Sequence, residues 1–577
     1  MRLTLTRPSP PLRLLWERVG LGFAQGVALY GLHSAFEAKV GLAAHPLLFA
    51  PTLMVAAMVP LLVLSGLGEL RWRTLAVWTV VAATVVAYLA YYDLARDPGD
   101  GKRLTADFGA TLACAAWLFI AHHLIVPADA ERKWLAPYQA YFDTAWKHGV
   151  QLVLSAGFTG VFWALLYLGA ALFKLIKIDG PSRLIEHDWF ALPATATALA
   201  LAVHLTDVRA SLVRGVRTVA LTLLSWLLPV MALIAVAFLA ALPFTGLDVL
   251  WRTRSAAGLL LSAAAALVFL TNATYQDGSR DAGAPRSLQW AGRAAALALI
   301  PLVAISAYAL GLRIAQHGLT PERIIAAACT LVAACYALGY GAAAVRRGPW
   351  LKLLERTNIV TALVILAVLL VLFTPIADPA RISVEDQVHR LETGRIAPDK
   401  FDYAFLRFDG ARYGKEALER LKTRTQGPGA GEIRSRAADA LHLEERPPST
   451  PPVTPGANLA SIVTTYPKGS VFPDDFRVTS QNCTRLEDRC KAFLLDLNGD
   501  NVPELLLQSG WNIEVFQHRP EGGWDKVGDL VSPYGCDGDV RSKALEEGRY
   551  STVSPIWNDL MIDGSRYQLN SNESCKH

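Results

Sequence analysis

At 577 residues the chain is long enough for more than one domain. It is 53% apolar and only 18% charged, against about 25% charged in ordinary globular proteins. A net charge of +5 is too small, and too scattered among short loops, to point to a nucleic-acid partner.

The apolar residues concentrate before about residue 378, and the remainder has the composition of a soluble protein. Arg2, Arg7 and Arg13 make a basic start, and no small-x-small cleavage site follows Ala35. The first apolar run is therefore expected to remain as an uncleaved span rather than a signal peptide. Eleven apolar runs lie near 19–36, 45–67, 74–92, 106–126, 149–173, 189–206, 218–243, 255–275, 288–312, 324–344 and 359–377. Each has the length a helix needs to cross the hydrocarbon of a bilayer, where no water satisfies exposed backbone. Gln25 and His33 interrupt the first run, and Gly22 and Gly26 form a GxxxG pair suited to close helix packing.

Lys and Arg favour the cytoplasmic side of short loops. With the N-terminus inside, the inner segments hold 18 basic residues and the outer loops 11, which places residues 378–577 outside, in the periplasm of a bacterial inner membrane. Cysteine usage agrees. Cys114, Cys329 and Cys335 lie in apolar runs, whereas Cys483, Cys490, Cys536 and Cys575 fall in the last hundred residues. Four cysteines in a small exported domain suggest two disulfides with three possible pairings. Cys483–Cys490, a short local loop, and Cys536–Cys575, which ties down the C-terminus, are preferred; free thiols in a cytoplasmic domain are the alternative.

Residues 378–445 read as short amphipathic helices resting on the membrane surface, with Ser383 as a candidate cap. A proline-rich linker covers 446–456. From 457 to 577, short alternating runs such as "KAFLLDL", "ELLLQ" and "IEVFQH" read as strands of a small, mostly β domain. The fold class is thus an all-α polytopic membrane bundle of about eleven spans, followed by a short helical segment and a small β domain outside the cytoplasm.

Between two of those strands lies "DLNGDNVPE". Asp496, Asn498, Asp500 and Glu504 offer side-chain oxygens and Val502 a backbone carbonyl, the hard donors that calcium takes. Leu507 stands where an EF-hand needs a bidentate Glu, so the loop is not that motif. It resembles the acidic loop of FG-GAP and VCBS-type β repeats, with Asn501 where those repeats have Gly, and it occurs once. The plain alternative is an acidic turn held by its own Asx hydrogen bonds.

The membrane part resembles a bacterial family described as domain of unknown function 4153. The resemblance is carried by "FTGVFWALLYLGAALFKL" at 158–175, "PFTGLDVLWRTRSAAGLLL" at 243–261, "NATYQDG" at 272–278, "YALGLRIAQHGLTPERI" at 308–324, "LERTNIVTALV" at 354–364 and "PDKFDYAFLRFDGARYGKEAL" at 398–418. It implies a polytopic inner-membrane protein and supplies no reaction and no catalytic residue.

Polar groups inside spans are candidates for function. His122 and His123, His204 with Asp207, and Asn272 with Asp277 fall at the inner ends of three spans. Brought together, they would line a polar vestibule; apart, they are ordinary residues where helices meet water. His33 and Glu37 mark a possible second site at the outer end of the first span. No P-loop, HExxH, CxxC, GxSxG or dinucleotide glycine pattern is present, which argues against ATP-driven transport by this chain alone. The expected function is a non-enzymatic envelope protein, transporter-like or an assembly scaffold, whose outer domain binds a protein partner. The rival is a membrane enzyme acting on a lipid-linked substrate through Glu37 and other acids. A cavity reaching His204 and Asn272 from the inside would favour transport, and a bundle without cavities a scaffold.

Overall fold

The computed structural model describes residues 12–97, 103–246, 256–278, 285–427, 429–444, 446, 463–467, 469–473, 475–476, 490–509, 512–519, 522–530, 538–553, 560–562 and 565–567. The chain divides into two compact units, Met1–Glu444 and Glu445–His577.

The first unit is built on helices α1 (Leu12–Ala38), α2 (Pro46–Gly66), α3 (Trp72–Ala95), α4 (Phe108–Glu131), α5 (Tyr138–Leu175), the short α6 (Gly180–Glu186), α7 (Asp188–Val208), α8 (Ala210–Thr245), α9 (Ala256–Tyr275), α10 (Arg286–His317), α11 (Pro321–Val345) and α12 (Leu354–Leu372). Each of the eleven apolar runs coincides with one helix. Among the described residues, ten helices are long and apolar enough to cross a membrane, so the protein is a polytopic membrane protein. The eleventh, α1, has 27 residues, enough to span by length. Its Arg18 and Gln25 make it less apolar, and both are buried against other helices.

Close packing explains how α1 is held. A side chain at Gly22 would meet Ala200 Cβ at 2.5 Å and the Ala196 carbonyl at 2.7 Å; one at Gly26 would run into Leu192 and Pro193. The GxxxG face therefore lets the α1 and α7 backbones touch. Gln25 donates to the carbonyls of Ala56 and Ala57 in α2 at 3.1 and 3.0 Å. The outward faces of α5 and α8, with Leu165, Leu168, Leu223 and Leu233 exposed, are left for lipid.

Two large apolar cores form among the described residues of the bundle, beside a small cluster of Leu32, Ala43 and Phe49. One joins α2, α3 and α4 around Trp78, Val86 and Trp117, with Leu366 and Leu370 of α12 against it. The other joins the start of α5 to α8–α12 around Leu228, Leu267, Leu299 and Tyr340. The helices alternate in direction, so the ends of α2, α4, α7, α9 and α11 share one end of the bundle. That end carries the larger share of basic residues and is called the basic end below.

Helices α13 (Pro379–Glu392), α14 (Tyr403–Phe408), α15 (Ala411–Lys422) and α16 (Ala430–Leu441) form their own small core around Val384, Leu406, Leu418 and Ile433. They are docked on the opposite end of the bundle rather than lying free on a surface. Fully buried Asp378 accepts from the Tyr92 hydroxyl at 2.7 Å and from the Ala380 amide at 2.8 Å. Asp386 accepts from the Leu319 amide at 2.7 Å, and the Arg412 amide donates to the Arg96 carbonyl at 2.9 Å. The cap expected at Ser383 is instead Asp378, one turn earlier; Ser383 is buried inside α13.

In the second unit, β1 (Thr464–Tyr466), β2 (Lys491–Leu495), β3 (Glu504–Ser509), β4 (Asn512–His518) and β5 (Trp524–Asp529) form one sheet in that order. β1 runs parallel to β2 and the remaining pairs are antiparallel. Ala492, Leu505, Leu507 and Phe516 pack on one face, Phe493, Leu506, Ile513 and Val515 on the other. A helix, α17 (Gly538–Glu546), and a two-stranded hairpin, β6 (Leu560–Ile562) and β7 (Ser565–Tyr567), follow.

Candidate functional site

The apolar stripe Tyr138, Tyr141, Phe142 carries α5 well upstream of the run at 149. Lys147 and His148, which read as loop residues in the sequence, therefore sit on a helix and face the bundle. Lys147 pairs with Glu69, in the turn between α2 and α3, and with Asp207 of α7 at 2.9 Å. Asp207 also receives Arg18 of α1 at 2.9 Å. Arg18 is 1% exposed, and its second contact is the Leu67 carbonyl at 2.7 Å. Four elements thus contribute alternating charges, Arg18–Asp207–Lys147–Glu69, in a site shut off from most water.

The line continues through imidazoles. His148 Nε2 lies 3.2 Å from Glu69, and His148 Nδ1 lies 3.1 Å from His123 Nε2. His123 Nδ1 stands 2.6 Å from the Phe119 carbonyl. A carbonyl only accepts, so His123 carries its hydrogen on Nδ1 and accepts through Nε2. His148 must then donate through Nδ1 to His123. Its other nitrogen faces a carboxylate, which also only accepts when ionised. Every contact of the His123–His148–Glu69 line can be a hydrogen bond when the line holds one proton more than two neutral imidazoles and one carboxylate supply. His122 is different. Trp78 Nε1 donates to its Nδ1 at 3.2 Å and its Nε2 faces Ser65 Oγ at 3.0 Å, which fixes an ordinary neutral ring. Burial pushes the Glu69 carboxyl up, but the His148 hydrogen bond and the charges of Lys147 and His148 outweigh it and hold the group well below the usual carboxylate range.

A cavity of about 710 Å³ at the same end is lined by Glu69, Lys147, Asp143, Thr144, Arg214 and Arg217. It brings the charged line into contact with open space.

The six residues expected in one vestibule divide. His122, His123 and Asp207 belong to this region. His204 is buried beside it, one turn before Asp207; its Nδ1 has no hydrogen-bond partner among the described residues. Asn272 lies in a separate neutral cluster. Its amide donates to Tyr340 Oη at 2.7 Å, while its oxygen accepts from Asn358 at 2.6 Å and Tyr138 at 3.2 Å. Tyr340 in turn donates to Asn358 at 2.8 Å. Asp277 lies near Gln139 at 3.4 Å. Arg18, Glu69, Lys147 and His148 were not singled out from the sequence. The signal for the last two was the helical stripe beginning at Tyr138.

At the opposite end His33 and Glu37 meet Asp188, the first residue of α7. His33 Nε2 is 3.5 Å from Glu37 and 3.3 Å from Asp188. Among the described residues this is the one group of three His, Cys or carboxylate side chains whose ligand atoms all lie within 4.8 Å of one another, and two of the three are exposed.

In the β unit the acidic loop closes the β2–β3 hairpin, with Leu495 opposite Glu504. Asp496 accepts from the amides of Gly499 at 2.7 Å and Asn501 at 3.0 Å, and Asp500 from Val502 at 2.7 Å. Glu504, buried, accepts from the Leu497 amide at 2.7 Å. Asn498 donates its amide to both Asp500 and Glu504, at 2.9 and 2.8 Å. Asn501 takes a left-handed φ of 63°, which Asn tolerates. Cys114, Cys329 and Cys335 are free thiols. Cys490 is buried and disulfide-bonded, and Cys483, Cys536 and Cys575 lie outside the described residues.

No curated protein and no solved structure matches the chain. Residues 26–420 match one family along the helices and the docked segment just described, and the chain belongs to that family, described as Domain of unknown function (DUF4153).

Proposed function

We propose that this protein is a transporter-like, non-enzymatic protein of the bacterial inner membrane that gives protons a path through the charged line at its basic end. One observation carries the reading: the cavity at the basic end reaches Glu69 and Lys147, and from there an unbroken line of ionisable side chains runs to His123. Ionisable groups buried among membrane helices are costly and mark ion or proton paths. A scaffold needs neither the cavity nor a place for an extra proton. The basic bias supports a cytoplasmic position for this end and a periplasmic one for the docked helices and the β unit, whose proposed role there is to bind a protein partner. A C-terminal alkaline phosphatase fusion is expected to be active in cells; an inactive one would reverse the topology.

The His33–Glu37–Asp188 group favours a second reading, an enzyme acting on a lipid-linked substrate at the outer face, with that group holding a divalent cation. In the β unit, two disulfides, preferably Cys483–Cys490 and Cys536–Cys575, and a weakly held calcium ion complete the proposal. Calcium would be taken by Asp496, Asn498, Asp500, Val502 and Glu504. It requires Asn498 to turn its oxygen, rather than its amide hydrogens, toward Asp500 and Glu504.

The transport reading is tested with the full chain in liposomes loaded with a pH-sensitive dye. An imposed membrane potential is expected to drive proton entry in the wild type and not in Glu69→Gln. Equal entry in wild type, variant and empty liposomes would overturn it.

A further inference from the structure

A groove of about 980 Å³ runs along the outside of the bundle between α3, α4 and α12. Its floor is apolar, with Val77, Trp78, Trp117, Leu124, Leu363 and Leu366. Its rim, where α3 begins and α4 ends, holds Arg71, Arg73, Arg132 and Lys133. Trp134, fully exposed beside them, is the residue expected where a helix end meets lipid headgroups.

The charge balance at the rim is positive. Asp129, the one acid in the groove, is already engaged: Arg71 donates to it through Nε at 2.8 Å and its backbone amide at 3.0 Å, and Thr74 at 2.6 Å. Glu131 faces Lys133 at 3.7 Å, both exposed. Arg73 and Arg132 have no ion pair among the described residues. The rim thus holds four cations against two carboxylates.

The dimensions match one class of molecule. From Arg71 at the rim to Val81 at the deep end the groove follows α3 for about 15 Å at 1.5 Å per residue, which is one leaflet of a hydrocarbon core about 30 Å thick. A phosphate at the rim would leave acyl chains lying along the Trp78–Leu366 floor. Basic pockets between membrane helices at this level recognise anionic headgroups.

We propose that the α3–α4–α12 groove is a binding site for an anionic phospholipid of the surrounding bilayer. Arg73, Arg132 and Lys133 hold the phosphate and the apolar floor holds the chains. This proposal stands apart from the transport reading.

Native mass spectrometry of the full chain in a non-ionic detergent tests it, with dioleoyl phosphatidylglycerol and dioleoyl phosphatidylcholine added in parallel. Adducts with the anionic lipid are expected at about 25-fold lower concentration, since each of the two cations in excess at the rim is worth roughly fivefold. Arg73→Gln/Arg132→Gln/Lys133→Gln should bring the two lipids to within about twofold of each other. Arg346→Gln/Arg347→Gln, which removes charge elsewhere, should keep the preference, and Leu124→Trp, which fills the floor, should weaken both lipids. Equal binding of the two lipids by wild type, a preference that survives the triple substitution, or displacement of the lipid by inorganic phosphate at equal concentration would overturn it.

Discussion

Two polar clusters sit at the same end of one helical bundle and solve burial in opposite ways. Arg18, Asp207, Lys147, Glu69 and His148 balance charge with charge. Tyr138, Asn272, Tyr340 and Asn358 balance amides with hydroxyls and carry no charge at all. The neutral cluster uses each group's donors and acceptors and has no reason to change state. The charged one has a place for an additional proton between His148 and Glu69 and opens on a cavity. The difference teaches that polarity at a helix end is not evidence of function by itself; what matters is whether the hydrogen bonds close without a mobile proton.

The largest effect is expected from Asp207→Ala. It leaves Arg18 buried and Lys147 short of a partner, and breaking one side of a buried pair costs about 3–5 kcal/mol. Thermal unfolding of the detergent-solubilised chain should fall accordingly, and Arg18→Met/Asp207→Leu should recover much of the loss. A loss below about 1 kcal/mol, the value of an exposed pair, would mean that water reaches the site and the two clusters do not differ in kind.

Acid should separate them next. The Glu69 carboxyl is held below its ordinary range, so its contribution to stability is complete above the unfolded value of about 4.3 and is lost as pH falls through the folded one. Wild type should lose melting temperature below about pH 4 more steeply than Glu69→Gln does, whereas Asn358→Leu should keep the full acid slope. Parallel slopes in all three would mean that Glu69 is not held ionised by its partners in the folded protein.

A smaller effect is expected within the neutral cluster. Asn358→Leu strands Asn272 and Tyr340, and membrane hydrogen bonds of this sort are worth about 1–2 kcal/mol at most. A loss as large as that of Asp207→Ala would break the ranking of charged over neutral. The acidic loop of the β unit tests a third way of balancing charge, by backbone amides. Calcium at ten times its dissociation constant would add about 1.4 kcal/mol. A heat of calcium binding in the full chain that Asp500→Ala abolishes would confirm that the amides leave room for a cation. No heat in the wild type would leave the loop as an Asx turn.

The helices were legible because hydrocarbon demands long apolar runs, and each run became a helix. What the runs could not reveal was which polar residues leave their loops. The apolar window in α5 begins at 149, yet Tyr138, Tyr141 and Phe142 extend the helix upstream and carry Lys147 and His148 inward. Arg18 preceded the first run and so read as a flank, although it is among the most buried side chains. Asp207 and His123 were visible as polar residues near span ends, but their partners come from α1, the α2–α3 turn and α5, and pairing across helices leaves no trace in local spacing. Asn272 was grouped with His204 on depth alone, and depth does not tell lateral neighbours apart. The docking of α13–α16 was hidden for the same reason: Asp378 meets Tyr92 across 286 residues of sequence.

Proton entry measured side by side for Glu69→Gln and Asn358→Leu, in one preparation of dye-loaded liposomes at one imposed potential, tests whether the charged cluster and not the neutral one carries protons. Glu69→Gln is expected to lose at least about tenfold, as when a group that carries the proton is removed, and Asn358→Leu to stay within about threefold of wild type. Equal loss in both, or entry undiminished in Glu69→Gln, would contradict it.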